Sequence, residues 1–225
     1  MEYLEYGGLK IFWTGHDGFR VEGQYIYYFD PYQLKTRVKA DVIFISHNHF
    51  DHFSESDINL ILKDGTLLVG PTELEDSFRR ISENYVTLKP GEEYDSIDYG
   101  FKVKAYPSYN VNKFRAPGIP FHPKEDGKVG FLVEIGGIKL YHAGDSDNIP
   151  EYSELSNLNI DIAFIPVSGT YVMTWEEAVE AAKVIKPKIA IPMHYGSFVG
   201  SRADAERFME ALRDTGIKVV ILEKG

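Results

Sequence analysis

"DVIFISHNHFDHFSES", residues 41–56, joins a continuous apolar run to three of the chain's seven histidines and an aspartate. Residues 41–46 have the length and β-branched, aromatic content of a strand covered on both faces, and the run stops at His47. His47 and His49 are two apart, so in extended chain both side chains leave on the same side. Asp51 and His52 lie one turn further on and can face a second centre. Adjacent unpaired imidazoles at a strand end have little packing purpose, whereas nitrogen and oxygen donors at this density suit a metal ion.

Outward from this stretch the chain reads as strands, then helices, then strands again. Residues 9–14, 19–23 and 24–31 ("LKIFWT", "FRVEG", "QYIYYFDP") are short aromatic and β-branched runs separated by turns. After the histidines, residues 54–65 ("SESDINLILKDG") carry a helix start signal and end at Gly65; a strand follows at 66–70, then a helix over 71–82 with proline near its start. Strands return at 101–107, 128–135 and 138–143, the last two joined through Gly136-Gly137. A β/α alternation closes the chain: strands over 161–167, 188–193 and 218–222, helices over 174–186 and 202–216. The pattern predicts one α/β domain over residues 1–225, with two mixed sheets packed face to face and helices outside. Residues 108–127 fit neither element type. They hold three prolines, two glycines, Lys113, Arg115 and Lys124, and an irregular stretch of this length inside a domain is usually functional or mobile.

Composition narrows the chemistry. With 225 residues, 44% hydrophobic and 26% charged, the chain is an ordinary globular sequence. It lacks a leader pattern and any apolar run near the roughly 18 residues needed to span a bilayer, so a cytoplasmic protein is expected. The absence of cysteine removes disulfides and thiolate ligands, leaving histidine nitrogen and carboxylate oxygen. A formal charge of −10 disfavours nucleic acid as a partner; a small-molecule substrate is expected, and a homo-oligomer is allowed.

Three apolar runs end in donors: residues 41–46 in His47, residues 138–143 in Gly144-Asp145, and residues 188–193 in His194. Strand ends at one sheet edge are where such folds build sites, which links the fragments. One or two divalent ions (Zn, Mn, Fe or Ni) suit the donor set. Two ions roughly 3.5–4 Å apart share a hydroxide nucleophilic near neutral pH, and hydrolysis follows naturally.

"HNHFDH", "YHAGDSD" and "IPMHYG" resemble the motifs of the metallo-β-lactamase superfamily, and "GHDGF", "DPYQ", "HAGDSDNIPE", "PVSGTYVM" and "PMHYG" resemble its UlaG-like branch of small prokaryotic hydrolases. The resemblance covers nearly the whole chain. It implies an αββα four-layer sandwich, with His47 and His49 on a first ion, Asp51, His52 and His194 on a second, and Asp145 bridging them. It also implies a lactone or phosphorylated sugar lactone as substrate, with a phosphodiesterase as the next enzyme reading; a metal-binding regulatory or interaction domain without turnover is the rival that a missing ligand histidine motivates. One departure stands out. The family pattern expects a histidine before the "GD" as third ligand of the first ion, where "VKAYPSYN" offers Tyr109 and Asn110. His122 from the irregular stretch can substitute, Asn110 can serve, or the place is left to water or vacant.

Catalytic roles fall on Asp51, orienting the nucleophile, and on His16, which can bond Asp51, act as an alternative ligand or hold substrate. Tyr109, Asn110, His122 and Tyr195 are the candidate substrate contacts, Tyr171 and Tyr195 alternatively packing. His142 reads as a core residue or one that orients a ligand. Lys113, Arg115 and Lys124 read as a solvated loop or as recognition of phosphate or carboxylate.

Overall fold

The structure, a computed structural model, describes residues 2–225. Its strands are β1 (Leu4–Tyr6), β2 (Leu9–Gly15), β3 (Gly18–Glu22), β4 (Ile26–Phe29), β5 (Val42–Phe44), β6 (Leu67–Pro71), β7 (Tyr85–Leu88), β8 (Glu93–Ser96), β9 (Phe101–Pro107), β10 (Phe114–Ala116), β11 (Ile119–Pro120), β12 (Val129–Ile135), β13 (Ile138–His142), β14 (Ile162–Pro166), β15 (Ile189–Met193) and β16 (Lys218–Val219). The helices are α1 (Glu55–Ile61), α2 (Glu75–Ile81), α3 (Tyr152–Leu155), α4 (Trp175–Ile185) and α5 (Arg202–Ala211).

Two seven-stranded sheets repeat one plan. In the first, β1 to β4 run antiparallel and β4 to β7 parallel, in sequential order. In the second, β8, β9, β12 and β13 run antiparallel and β13 to β16 parallel. Alternation along the strands sorts the layers. Val42 and Phe44 of β5 enter the core between the sheets, while Ile43 and Ile45 point outward to Ile58 and Ile61 of α1 and Phe78 of α2. Across the inner layer Phe19 stacks on Phe164 at 4.1 Å and Phe44 meets Phe131 at 5.5 Å. Truncating such a buried ring costs about 3–5 kcal/mol. Helices α4 and α5 pack outside β14 and β15, completing the expected αββα sandwich.

Helix α4 starts where Thr174 and Glu177 form a reciprocal capping box and stops at Lys186, which is left-handed at φ +55° before Pro187. Helix α1 ends at Ile61, short of Gly65, because Leu62 turns extended. The stretch before α2 is a 3₁₀ turn over Thr72–Leu74. Residues 108–127 are less irregular than expected: β10 and β11 form a small hairpin turning at Pro117-Gly118, with Gly118 at φ +72°. The short elements β1 and α3 carry too few residues to show periodicity.

The parallel halves decide where the chemistry sits. The C-terminal ends of β5 and β15, and that of β13 between its parallel and antiparallel neighbours, meet at one edge of the sandwich, the usual place for sites in such sheets. There the backbones of the two sheets touch, Val129 N–H donating to Ser46 O at 3.1 Å. Gly144 sits against this junction at φ +61°, and a Cβ there would lie 3.0 Å from Val129 O and 3.1 Å from Ser46 Cβ. Glycine avoids this crowding and takes the left-handed turn without strain, and it delivers Asp145 into the junction.

Candidate metal centre

His47 follows β5, Asp145 follows β13 and His194 follows β15. His16, Asp30 and His194 take left-handed backbone (φ +53°, +39°, +60°), a conformation that gathers at sites where surroundings over-determine it. Among the described residues three sets of donors have ligand atoms all within 4.8 Å of one another: His47, His49, His122 and Asp145; His16, Asp51, His52 and His194; and Asp17, His52, Asp145 and His194.

In the first set His49 Nδ1 lies 3.0 Å from His47 Nε2 and 3.2 Å from His122 Nε2, and His122 Nε2 lies 3.2 Å from Asp145 Oδ2. A tetrahedral shell at the ordinary zinc–nitrogen distance of about 2.0–2.1 Å has edges of roughly 3.4 Å. In the second set His52 Nε2 and His194 Nε2 stand 3.2 and 3.3 Å from Asp145 Oδ1. Asp145 therefore faces one oxygen to each set. His52 Nε2, His194 Nε2 and Asp145 Oδ1 are buried and make no hydrogen bond, and Asp17, fully buried, makes none through either oxygen. Buried lone pairs in this number are expensive to leave unmatched, and a divalent cation satisfies them together.

Neighbouring groups fix which nitrogen carries hydrogen. Asp30 accepts from Ser46 N at 2.7 Å, from Ser46 Oγ at 2.6 Å and from His52 Nδ1 at 2.8 Å. Because Ser46 Oγ gives its hydrogen to Asp30, it accepts at 2.9 Å from His47 Nδ1. In its neutral form each imidazole is thus left with an Nε2 lone pair turned toward the donor sets. Asn110 does the same for His122: its Nδ2 donates to Tyr171 O at 2.9 Å, leaving Oδ1 to accept from His122 Nδ1 at 2.8 Å. Ser168 Oγ lies 2.8 Å from His194 Nδ1. His16 Nε2–H donates to Asp51 Oδ2 at 2.9 Å, with Ser197 Oγ 3.0 Å from its Nδ1.

The electrostatics of the protein alone split the histidines. Burial, then His194, pushes His16 down to about 4; burial, then His122, does the same to His49; burial and His52 hold His47 well below the imidazole range. Burial also opposes charge on His52 and His194, but Asp145 and Asp30 hold His52 well above its ordinary value, and Asp145 and Asp17 raise His194 to about 9. Burial holds the Asp17 carboxyl well up. For Asp145 the opposite holds, His52 and His194 overriding burial to keep it well below the carboxylate range.

The structure thus gathers His16, His47, His49, Asp51, His52, Asp145 and His194 from four distant stretches, and adds His122 to the first set. Asn110 lies behind His122, Tyr109 OH donates to Glu151 at 2.9 Å, and Tyr195 stacks on Trp13 at 4.8 Å. His142 is buried, its Nε2 2.8 Å from Asp17 O. Lys113 binds Glu177 at 2.6 Å and Lys124 binds Glu151 at 2.6 Å. Sequence reasoning passed over Asp17, read within a turn, and Asp30, read within a strand run, although each stands inside a stretch already singled out, "GHDGF" and "DPYQ". A surface concavity of about 500 Å³ lies elsewhere, against Tyr94, Tyr106 and Leu132. No helix among the described residues is long and apolar enough to cross a membrane.

Comparison with known proteins places these features. The beta-lactamase superfamily domain matches residues 10–194. The chain is 32% identical over 227 residues to a UPF0173 metal-dependent hydrolase of Thermoplasma acidophilum, covering 96% of each chain. It is 30% identical over 228 residues to one of Carboxydothermus hydrogenoformans, covering 96% of this chain and 98% of that one. Among solved structures, a protein of Parabacteroides distasonis described as a metal-dependent hydrolase has a TM-score of 0.80 at 32% identity, covering 96% of this chain and 94% of that one. Igni18, a metallo hydrolase of Ignicoccus hospitalis, shares the fold with a TM-score of 0.79 at 22% identity, covering 96% of both chains.

Proposed function

The chain belongs to the beta-lactamase superfamily and groups with its UPF0173 metal-dependent hydrolases, and on that premise we propose that it opens small-molecule lactones or related esters at the edge where β5, β13 and β15 end. The observation that carries this reading is Asp145, whose two oxygens face the two donor sets at 3.2–3.3 Å. His47, His49 and His122 would hold one divalent cation and Asp51, His52 and His194 another, with Asp145 between them. A cation so held supplies Lewis acidity, polarising the scissile carbonyl and bringing the pKa of water toward neutrality.

The protein's own groups do the rest. Asp51, steadied by the His16 N–H, receives the proton as water oxygen joins the carbonyl carbon. The bond from that carbon to the ring oxygen then breaks, and Asp51 returns the proton to the departing alkoxide. That His122 stands with His47, His49 and Asp145 supports the enzyme over a binding domain without turnover. The motifs "GHDGF" and "HAGDSDNIPE" support a UlaG-like lactonase as the finer reading.

The experiment compares cation-loaded protein with a His49→Ala, Asp145→Ala double variant on simple lactones and on bis-p-nitrophenyl phosphate. Turnover of lactones by the wild type alone supports the proposal. Cleavage of the phosphodiester alone replaces it with a phosphodiesterase, and equal rates from both proteins end it. Elemental analysis of protein purified without added metal reports whether both sets are filled.

A further inference from the structure

We propose that Tyr32, Phe50 and Phe198 form a binding site for an apolar chain or aryl ring at the mouth of the metal centre, so that the preferred substrate is an uncharged lipophilic lactone or ester. The inference rests on the hydrolase reading above and specifies its substrate class. Phe50, flanked by His49 and Asp51, leaves 67% of its surface exposed, and Phe198 leaves 48%. Single exposed rings are common, but contiguous ones mark binding surfaces. Here Phe50 stacks on Phe198 at 5.9 Å and meets Tyr32 edge-on at 5.9 Å.

The rings are continuous with the site. The His16 imidazole lies 5.0 Å from Phe198, 6.0 Å from Tyr32 and 4.1 Å from His194. A substrate whose carbonyl reaches Asp51 therefore lays its next few carbons along these rings, removing ring and chain from water together. Two of the cations that the sequence offered for a phosphate are engaged, Lys113 on Glu177 and Asp147 and Lys124 on Glu151, as is Lys128 on Glu73 and Asp126. Arg115 stands on the exposed hairpin β10–β11.

The test is a series of γ-lactones with linear 4-alkyl groups of rising length, with kcat/KM measured for wild type, Phe50→Ala and Phe198→Ala. In the wild type kcat/KM should rise about fourfold per buried methylene until the rings are covered. The slope should flatten in both variants and persist in Ile97→Ala, an exposed apolar residue in the β8–β9 turn. Binding of octanamide, followed by calorimetry, should weaken at least tenfold in Phe50→Ala. A flat wild-type series, or a phosphorylated sugar lactone turned over faster than γ-decanolactone, overturns this proposal and leaves the hydrolase reading standing. Octanamide binding that is sensitive to Phe50, without turnover of any lactone, does the reverse. Binding indifferent to both substitutions overturns the aromatic site whatever the rates.

Discussion

His122 Nδ1–H donates to Asn110 Oδ1 at 2.8 Å, and the same oxygen accepts the backbone N–H of His122 at 2.9 Å. One amide thus fixes both position and tautomer of a histidine supplied by the loop between β9 and β12. Replacing Asn110 by Leu should weaken the first cation's binding tenfold to a hundredfold, the usual effect of losing a partner behind a ligand. Asn110→Asp, which keeps an acceptor, should retain most of it. Chelator competition with elemental analysis measures both; equal retention in wild type and Asn110→Leu would show that His122 is no ligand.

Asp30 reaches His52 directly and His47 through Ser46, so it influences both donor sets from one buried carboxylate. Asp30→Asn should lower affinity for both cations, by about tenfold or more each. Asp30→Ala should also destabilise the fold by about 2–4 kcal/mol, leaving Ser46 N–H and the His52 ring without acceptors. Denaturant titration of the metal-free proteins separates the two effects. An affinity loss confined to one cation would contradict the shared role.

Asp17 is the reverse case, a buried carboxyl with no hydrogen bond. Asp17→Ser should raise the stability of the metal-free protein by about 1–3 kcal/mol, a few degrees in Tm, while weakening the cation of the second set. Melting curves with and without divalent metal report both signs. A variant less stable than wild type in the metal-free state would mean that Asp17 has a structural partner.

Burial alone would raise the Glu177 carboxyl, but the Lys113 ammonium and the Thr174 backbone N–H hold it below its usual range. The sign follows from that depression: the contribution is complete above the unfolded carboxyl's pKa of about 4.3 and disappears as pH falls through the lower folded value. Glu177 also accepts from Asn112 at 2.5 Å, tying residues 108–127 to α4. Acidification from pH 5 to pH 3 should therefore release amide protection in that segment ahead of the core, and Glu177→Gln should show the release already at pH 7. Hydrogen exchange resolves the order.

Much of the site was legible because its donors are local or end an apolar run. His47, His49, Asp51 and His52 share six positions, and Asp145 and His194 each close a strand whose pattern is plain. His122 was harder: its link to β5 runs through a hairpin of three-residue and two-residue strands, too short to carry periodicity, and through a side-chain amide. Asp17 and Asp30 were illegible for another reason. An aspartate after a strand is an ordinary turn residue, and only the folded register shows that these two face inward. The exposed rings likewise acquire meaning only when residues 32, 50 and 198 meet.

The repeated plan of four antiparallel and three parallel strands has a mechanical consequence. Neither half of the chain owns a complete donor set: His47, His49, Asp51 and His52 belong to the leaf containing β5, and His122, Asp145 and His194 to the leaf containing β13 and β15. Ions seated there act as rivets through a seam. At a hundred times its Kd a single ion tightens that seam by about 2.7 kcal/mol. Stripping the ions should slacken the molecule first along the line where Val129 meets Ser46, so that cohesion and chemistry are lost at the same place.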